Sequence, residues 1–431
     1  MTEKNVMEFL DSRRKLGSVP GLDNIEVLCD RLGRPQDRLK FIHIAGTNGK
    51  GSTAGFISSI LEAAGYKTGL YTSPEVFCYR ERYRIQHKNI SINKFCSIFE
   101  RVQKTTDEMD TEGQYHPTVF EVETAAALLY FAEEQCDYVV LETGMGGKLD
   151  ATNLVKNTVA AVFTSISMDH MQYLGNTLRE IAENKAGIIK NNCYVISGIQ
   201  NTETENVLRT AAKERNAAFF IVDEKEIRNK KASYRKLIFS YKGIQKLEIH
   251  MTGMYQFENC ALAVETILSL NGHEWNINEE QIRQGIVKTG WDGRFTVINE
   301  KPLFVIDGAH NPDAAEKLAQ SIANYFTNRK IIYIIGILKD KEADEIIRLT
   351  AHFAEQIIAI GIPGNPRSMD VLDLAITAKR YHNSVTAADS IEEAVEMAYL
   401  LADKDSVIIA FGSLSYLGRI KDIVDHRKKC R

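Results

Sequence analysis

The chain has 431 residues, 44% of them hydrophobic and 26% charged, with a formal net charge of -4. That length leaves room for two or three domains with sizeable cores, and the mildly acidic balance argues against a general affinity for nucleic acid. No run approaches about 18 apolar residues, so no membrane span is expected, and the stretch Met1 to Val6 lacks the apolar core of a signal peptide. The seven cysteines, at 29, 78, 96, 136, 193, 260 and 430, form no CxxC pair. Scattered thiols of this kind suit a reducing cytoplasm better than disulfides or a zinc site.

In chain order, Arg38 to Ile42 predicts a buried strand and Ala54 to Glu62 a helix. Between them runs His43-Ile44-Ala45-Gly46-Thr47-Asn48-Gly49-Lys50-Gly51-Ser52-Thr53. A strand, a glycine-rich turn and a helix N-terminus form a phosphate cradle, with backbone N–H groups and the helix dipole aimed at the anion and Lys50 adding a positive charge. The spacing departs from the standard Walker pattern, because Ile occupies position 44 and Gly51 separates Lys50 from Ser52. A ligand-free turn would not call for lysine, so the pattern points to a nucleotide.

Strand-like and helical runs then alternate. Tyr66 to Thr72, Tyr138 to Glu142, Val159 to Ser165 and Tyr194 to Ser197 read as strands, and Thr118 to Glu134 and Thr177 to Ile188 as helices. This rhythm predicts an α/β fold with a parallel sheet and helices on both faces, whose ligands gather at the carboxyl ends of the strands. Residues 223 to 251 have a short period and many charges, and read as an antiparallel hairpin or small sheet. Helices are expected at about Tyr255 to Leu270 and Asn278 to Lys288, and a hinge at Gly290 to Phe295. From Leu303 the alternation restarts, with strands at 303–306, 329–336, 355–360, 383–386 and 406–411. The basic tail Asp425 to Arg431 reads as a solvated helix face.

Several strand ends carry candidate chemistry. The apolar run to Leu141 stops at Glu142 and turns into Thr143-Gly144-Met145-Gly146-Gly147-Lys148-Leu149-Asp150-Ala151-Thr152-Asn153. A carboxylate at such a turn is a metal ligand or a solvated bystander, and the phosphate turn upstream favours the ligand. The next strand ends at Ser167-Met168-Asp169-His170, which brings His170 one strand along from Glu142, although a histidine is unusual in a magnesium shell. Lys185 has no carboxylate three or four residues upstream, and its spacing is compatible with a lysine snorkelling from an amphipathic face. In the second half Asp307-Gly308-Ala309-His310-Asn311-Pro312 follows a strand, setting Asp307 and His310 where they can reach across a cleft, with Asn311 or Asp313 as a helix cap. Arg294 in the hinge can approach phosphate from the far side, and Ser413 ends the last strand in the same topological position.

Taken in order, these motifs, with Thr72-Ser73-Pro74, Arg80-Glu81-Arg82, Glu183 to Lys190 and Trp291-Asp292-Gly293-Arg294-Phe295, resemble the folylpolyglutamate synthase and dihydrofolate synthase family of the Mur-ligase superfamily, over essentially the whole chain. The resemblance implies a P-loop-type, mostly parallel ATPase domain at 1–296 with folate-site loops, and a smaller Rossmann-like glutamate-ligase domain at 297–431. It implies ATP-dependent addition of L-glutamate to dihydropteroate or folates through an acyl phosphate, releasing ADP and phosphate, in a cytoplasmic monomer. By the same resemblance Gly46, Thr47, Asn48, Gly49, Lys50, Gly51, Ser52, Asn259, Arg294 and Asp307 would hold ATP, and Ser52, Ser73, Glu142 and His170 would hold Mg²⁺. Lys50, Lys185 and His310 would serve catalysis, with Lys185 carbamylated by CO₂. Arg82, Asp150 and Ser413 would contact the substrates. Glu75 stands where the family usually has histidine after Ser73-Pro74, and Tyr255 replaces another frequent histidine, a change expected to matter less. A Mur-type cell-wall ligase is the close rival, disfavoured because the phosphate turn begins by residue 46 and leaves no separate N-terminal domain for a UDP moiety. A nucleotide-binding ATPase without ligation is the other.

Overall fold

The computed structural model describes residues 1–17 and 21–429, which leaves Cys430 and Arg431 of the basic tail outside the described residues. Its first sheet has eight strands: β1 (Phe41–Ala45), β2 (Thr68–Tyr71), β3 (Tyr83–Ile85), β4 (Lys88–Asn89), β5 (Tyr138–Glu142), β6 (Thr158–Phe163), β7 (Tyr194–Ser197) and β8 (Ala218–Ile221), in the order β4-β3-β2-β5-β1-β6-β7-β8. Only β3 and β4 run antiparallel to their neighbours. Alternate side chains enter opposite cores, as the two-residue period of a strand requires. Ile42 and Ile44 pack under the helices Lys50–Ala63, Gln256–Leu270 and Glu279–Lys288. Phe41 packs on the other face with the helices Ile92–Glu112 and Val119–Glu133, and Ala45 packs beside Ala161 and Phe163 under Leu178–Ala186.

A flanking three-stranded antiparallel sheet, β9 (Arg228–Ala232), β10 (Leu237–Tyr241) and β11 (Ile244–Ile249), covers part of that first core. The last sheet comprises β12 (Thr296–Glu300), β13 (Leu303–Ile306), β14 (Ile331–Ile335), β15 (Gln356–Ile360), β16 (Val385–Ala388) and β17 (Val407–Phe411), in the order β12-β13-β17-β14-β15-β16. It is parallel except for β12. The helices Pro312–Tyr325, Ala343–Thr350 and Val371–Lys379 cover one face, and Ile391–Leu401 with Leu417–Lys429 the other.

Among the departures from the sequence expectation, two boundaries and two unforeseen strands have a clear physical reason. The first strand is 41–45 rather than 38–42, because Pro35–Arg38 forms a tight helical turn. His43 then enters the core, where its Nε2 meets Thr152 Oγ1 at 2.8 Å. The helix after the phosphate turn begins at Lys50 rather than Ala54, since Gly49 takes a left-handed φ of +86° and delivers the chain directly into helix. The hinge is followed at once by β12, whose pairing with β13 comes from tertiary contact rather than hydrophobic pattern. Strand β8 is an edge strand with half-exposed side chains, which weakens its two-residue signature.

Candidate active site

The strands β1, β5 and β6 are adjacent in the first sheet and release their chains at the same edge. The turns there face the ends of β13 and β17 across a cavity of about 720 Å³. Gly46 to Ser52, Ser73, Glu142, His170, Lys185, Asn259, Arg294, Asp307, His310 and Ser413 all line it. Arg82 and Asp150 do not. Arg82 is held behind the wall by Glu75 at 2.6 Å and Glu123 at 2.8 Å. The Asp150 carboxylate accepts from Met145 N at 2.7 Å and from Thr152 N at 3.0 Å, so it shapes its own loop instead of offering itself to a substrate.

The phosphate turn is pinned on three sides. Thr47 N–H donates to Ser165 O at 2.8 Å, and Thr47 Oγ1 accepts from Ser167 N–H at 3.0 Å, tying the turn to the exit of β6. Gly46 is irreplaceable sterically, because a Cβ there would run into the Thr164 side chain. Asn48 crosses to the other sheet: its amide donates to Asp313 at 2.6 Å and pairs reciprocally with the amide of Asn311, which also caps the helix Pro312–Tyr325. Lys50 Nζ rests on Thr47 O at 3.1 Å, folded over the turn. Ser52 Oγ accepts from Gln256, whose own amide oxygen orients Asn259.

Glu142 is 5% exposed and accepts a 3.3 Å hydrogen bond from Ser73 N–H. Burial pushes its carboxyl above the usual range, while the charges of Lys50 and Arg294 pull the other way. No ion pair among the described residues satisfies it, which is an expensive state for a carboxylate unless a cation joins it. The described residues contain no cluster of three or more Asp, Glu, His or Cys able to cage a metal. That donor set fits Mg²⁺, which takes one or two carboxylates and completes its shell with water and substrate phosphates. Glu142, the hydroxyls of Ser52 and Ser73, and His170 on the exposed rim are the available donors.

Lys185 is 4% exposed, and its Nζ donates to Gly46 O at 2.7 Å. It does not snorkel: the side chain runs inward to the back of the phosphate turn. Burial, followed by repulsion from Lys50, lowers its pKa to about 7. Nothing in its sequence spacing signalled this, because the partner is a backbone carbonyl 139 residues away.

On the facing side, Asp307 reaches the first half of the chain through Tyr255. Its two oxygens accept from Tyr255 OH at 2.7 Å, Phe295 N at 2.8 Å and Ala309 N at 2.8 Å, which fixes the hinge against the first sheet. Tyr255, a position expected to matter little, is thus half of a tie between the two sheets. His310 is placed differently. Its Nδ1 lies 2.7 Å from Gly308 O, and a carbonyl can only accept, so Nδ1 carries the hydrogen and Nε2 keeps a lone pair. Burial, then the Lys341 charge, lowers its pKa to about 4 and keeps the ring neutral. Ser413 Oγ lies 2.7 Å from Ser415 Oγ beside it. Asp169 and Lys341, which face each other in the cavity, were given no role in the sequence reading. Asp169 adjoins His170 and could have been noticed for that. Lys341 carries no sequence signal.

With this geometry in view, the comparisons are decisive. The Mur ligase middle domain matches residues 44–267, and the Mur ligase glutamate ligase domain matches residues 293–414. A dihydrofolate synthase/folylpolyglutamate synthase of Bacillus subtilis is 34% identical over 428 residues, covering 97% of this chain and 98% of its own. The chain belongs to the folylpolyglutamate/dihydrofolate synthase family of Mur ligases. It is therefore an enzyme of the ligase class. Two solved structures in this family superimpose closely. Folylpolyglutamate synthase of Mycobacterium tuberculosis, complexed with ADP and AMPPCP, has a TM-score of 0.90 at 29% identity, with 97% of each chain covered. Escherichia coli FolC, in complex with DHPP and ADP, has a TM-score of 0.85 at 29% identity, with 98% of each chain covered.

Proposed function

We propose that this chain joins L-glutamate to a pteridine carboxylic acid, dihydropteroate or a folate or both, while ATP is split to ADP and phosphate. The observation that carries this reading is the single cavity in which the phosphate turn and Glu142 of one sheet face the neutral His310 of the other. A carboxylate is a poor electrophile, and ATP overcomes this by transferring its γ-phosphoryl group to make an acyl phosphate. The glutamate amine then attacks the acyl carbon and expels phosphate.

In this reading the N–H groups of the turn 46–52 cradle the triphosphate and Lys50 neutralises charge as it develops. Asn259 and Arg294 flank the nucleotide, while Asp307 holds the hinge that carries Arg294. Glu142, Ser73, Ser52 and His170 hold Mg²⁺, which supplies charge neutralisation between two anions. The neutral amine fraction of Lys185 at ordinary pH can add CO₂, releasing a proton and creating a carbamate whose anionic oxygens would be available to a cation in the same cavity. His310 Nε2 keeps a lone pair that can accept a hydrogen bond from the incoming glutamate nitrogen and orient it. Ser413 orients that amino acid.

Residues 1–296 then serve ATP and the acceptor, and 297–431 the incoming glutamate. Six free cysteines among the described residues support a reducing, cytoplasmic setting. No helix among those residues is long and apolar enough to cross a membrane. The reading takes the enzyme as a monomer acting on small molecules, with no nucleic-acid partner.

Purified protein with ATP, Mg²⁺ and glutamate, supplied with dihydropteroate or tetrahydrofolate, tests it. ADP release is expected only when glutamate and a pterin acid are both present. Release that needs neither would identify an ATPase instead.

A further inference from the structure

The Lys50-Gly51-Ser52 spacing, unexplained by phosphate binding, has a cause elsewhere in the chain. Residues 285–294 run back along the helix Lys50–Ala63 from its C-terminal half to its first turn. Gly285 lies on the backbone of Ile60, with no room for a Cβ. Thr289 and the six-membered ring of Trp291 lie on Gly55, where an added Cβ would sit 3.6 Å from Thr289 Cγ2 and 3.0 Å from Trp291 Cε3. The other half of the indole lies on Gly51, where an added Cβ would meet Nε1 at 3.0 Å, Cζ2 at 3.1 Å and Cε2 at 3.2 Å. Residues 51 and 55 are one helical turn apart on a single face. The Arg84 guanidinium also stacks over the indole, 4.9 Å from the ring centroid, and its Nε is buried without a hydrogen-bond partner among the described residues. Three residues beyond Trp291, Arg294 reaches the cavity.

We infer that Trp291 is a positioning residue: seated on Gly51 and Gly55, with Arg84 stacked over it, it sets the height of the strap 285–294 so that Arg294 stands over the phosphate turn. Gly51 is a glycine to admit the indole. A side chain there lifts the strap and moves Arg294 away from the nucleotide. This rests on the proposed placement of ATP at residues 46–52.

The test is steady-state ligation at varied ATP for G51A, W291A, W291F and the double variant G51A/W291F, with thermal melts to confirm folding. A methyl group forced against a packed ring costs binding unless the ring gives way, so G51A and W291A are expected to raise KM for ATP about tenfold and W291F about threefold. The smaller phenyl ring vacates the space above position 51, so the double variant is expected to match W291F rather than G51A. ADP is also expected to change the tryptophan emission of the wild type but not of W291F, which keeps only Trp275. A G51A enzyme with wild-type KM, a double variant as impaired as G51A, or an emission change that survives in W291F overturns the inference. A wild-type protein whose ADP release does not depend on glutamate and a pterin acid refutes the functional reading instead.

Discussion

The Asp169 carboxylate, just beyond β6, lies 2.7 Å from Nζ of Lys341, in the loop that follows β14 of the other sheet, and the two side chains are only 11% and 6% exposed. Asp169 also accepts from Asn311 at 3.0 Å. This buried pair joins the two halves of the molecule across the cavity. Removing one partner strands the other's charge, a loss of about 3 kcal/mol for pairs of this kind. K341M is therefore expected to lower stability clearly in urea unfolding, and D169N/K341M to recover part of the loss. A double variant no better than K341M would show that the pair is not coupled.

Glu142 has the opposite profile. It is a buried carboxylate with no ion-paired partner among the described residues, so its charge costs folding energy. E142Q is expected to be as stable as wild type or more so, while the Mg²⁺ concentration needed for half-maximal activity rises at least about tenfold. A melt that collapses without any change in metal requirement would make Glu142 structural.

Lys185 sets a pH dependence of stability. Its pKa of about 7 in the folded protein lies below the ordinary value of 10.5. The unfolded chain therefore holds more protons than the folded one between those values, and stability rises with pH across that window. Below about pH 7 the cost of burying the cation is fully present. In CO₂-free buffer, K185M is expected to be more stable than wild type at pH 6.5, with the difference shrinking toward pH 10. Ligation by K185M is expected to fall by at least about a hundredfold, because the amine that would carry the carbamate is gone. A pH-independent stability difference would contradict the buried, neutralised lysine.

His310 is expected to be neutral throughout the working range, since its pKa is lowered to about 4. The acid limb of kcat should therefore not follow an ordinary imidazole near pH 6.5. H310Q keeps a polar group at the site but loses the basic lone pair. It is expected to lower kcat at least about a hundredfold with KM for ATP little changed. An H310Q enzyme with normal kcat would remove His310 from the positioning of the glutamate nitrogen.

Chain order and residue type were enough to establish the parallel α/β layout, the phosphate turn and the family. Each rests on local chemistry: apolar runs alternating with helical ones, glycines beside a lysine before a helix, a carboxylate where a strand stops. Strands β5, β7 and β13 fall where their apolar runs begin and end. The edge strands β8 and β12 were not legible, since an edge strand needs only a neighbour to pair with and bears little hydrophobic signature. Lys185 against Gly46, Asp169 against Lys341, Tyr255 on Asp307 and Trp291 on Gly51 were equally invisible. These contacts join residues 139, 172, 52 and 240 positions apart, and no periodicity along a chain encodes such a meeting. Only the tertiary packing, within the first half as well as between the two halves, determined which charges are buried, which pKa values move and why a glycine follows the phosphate lysine.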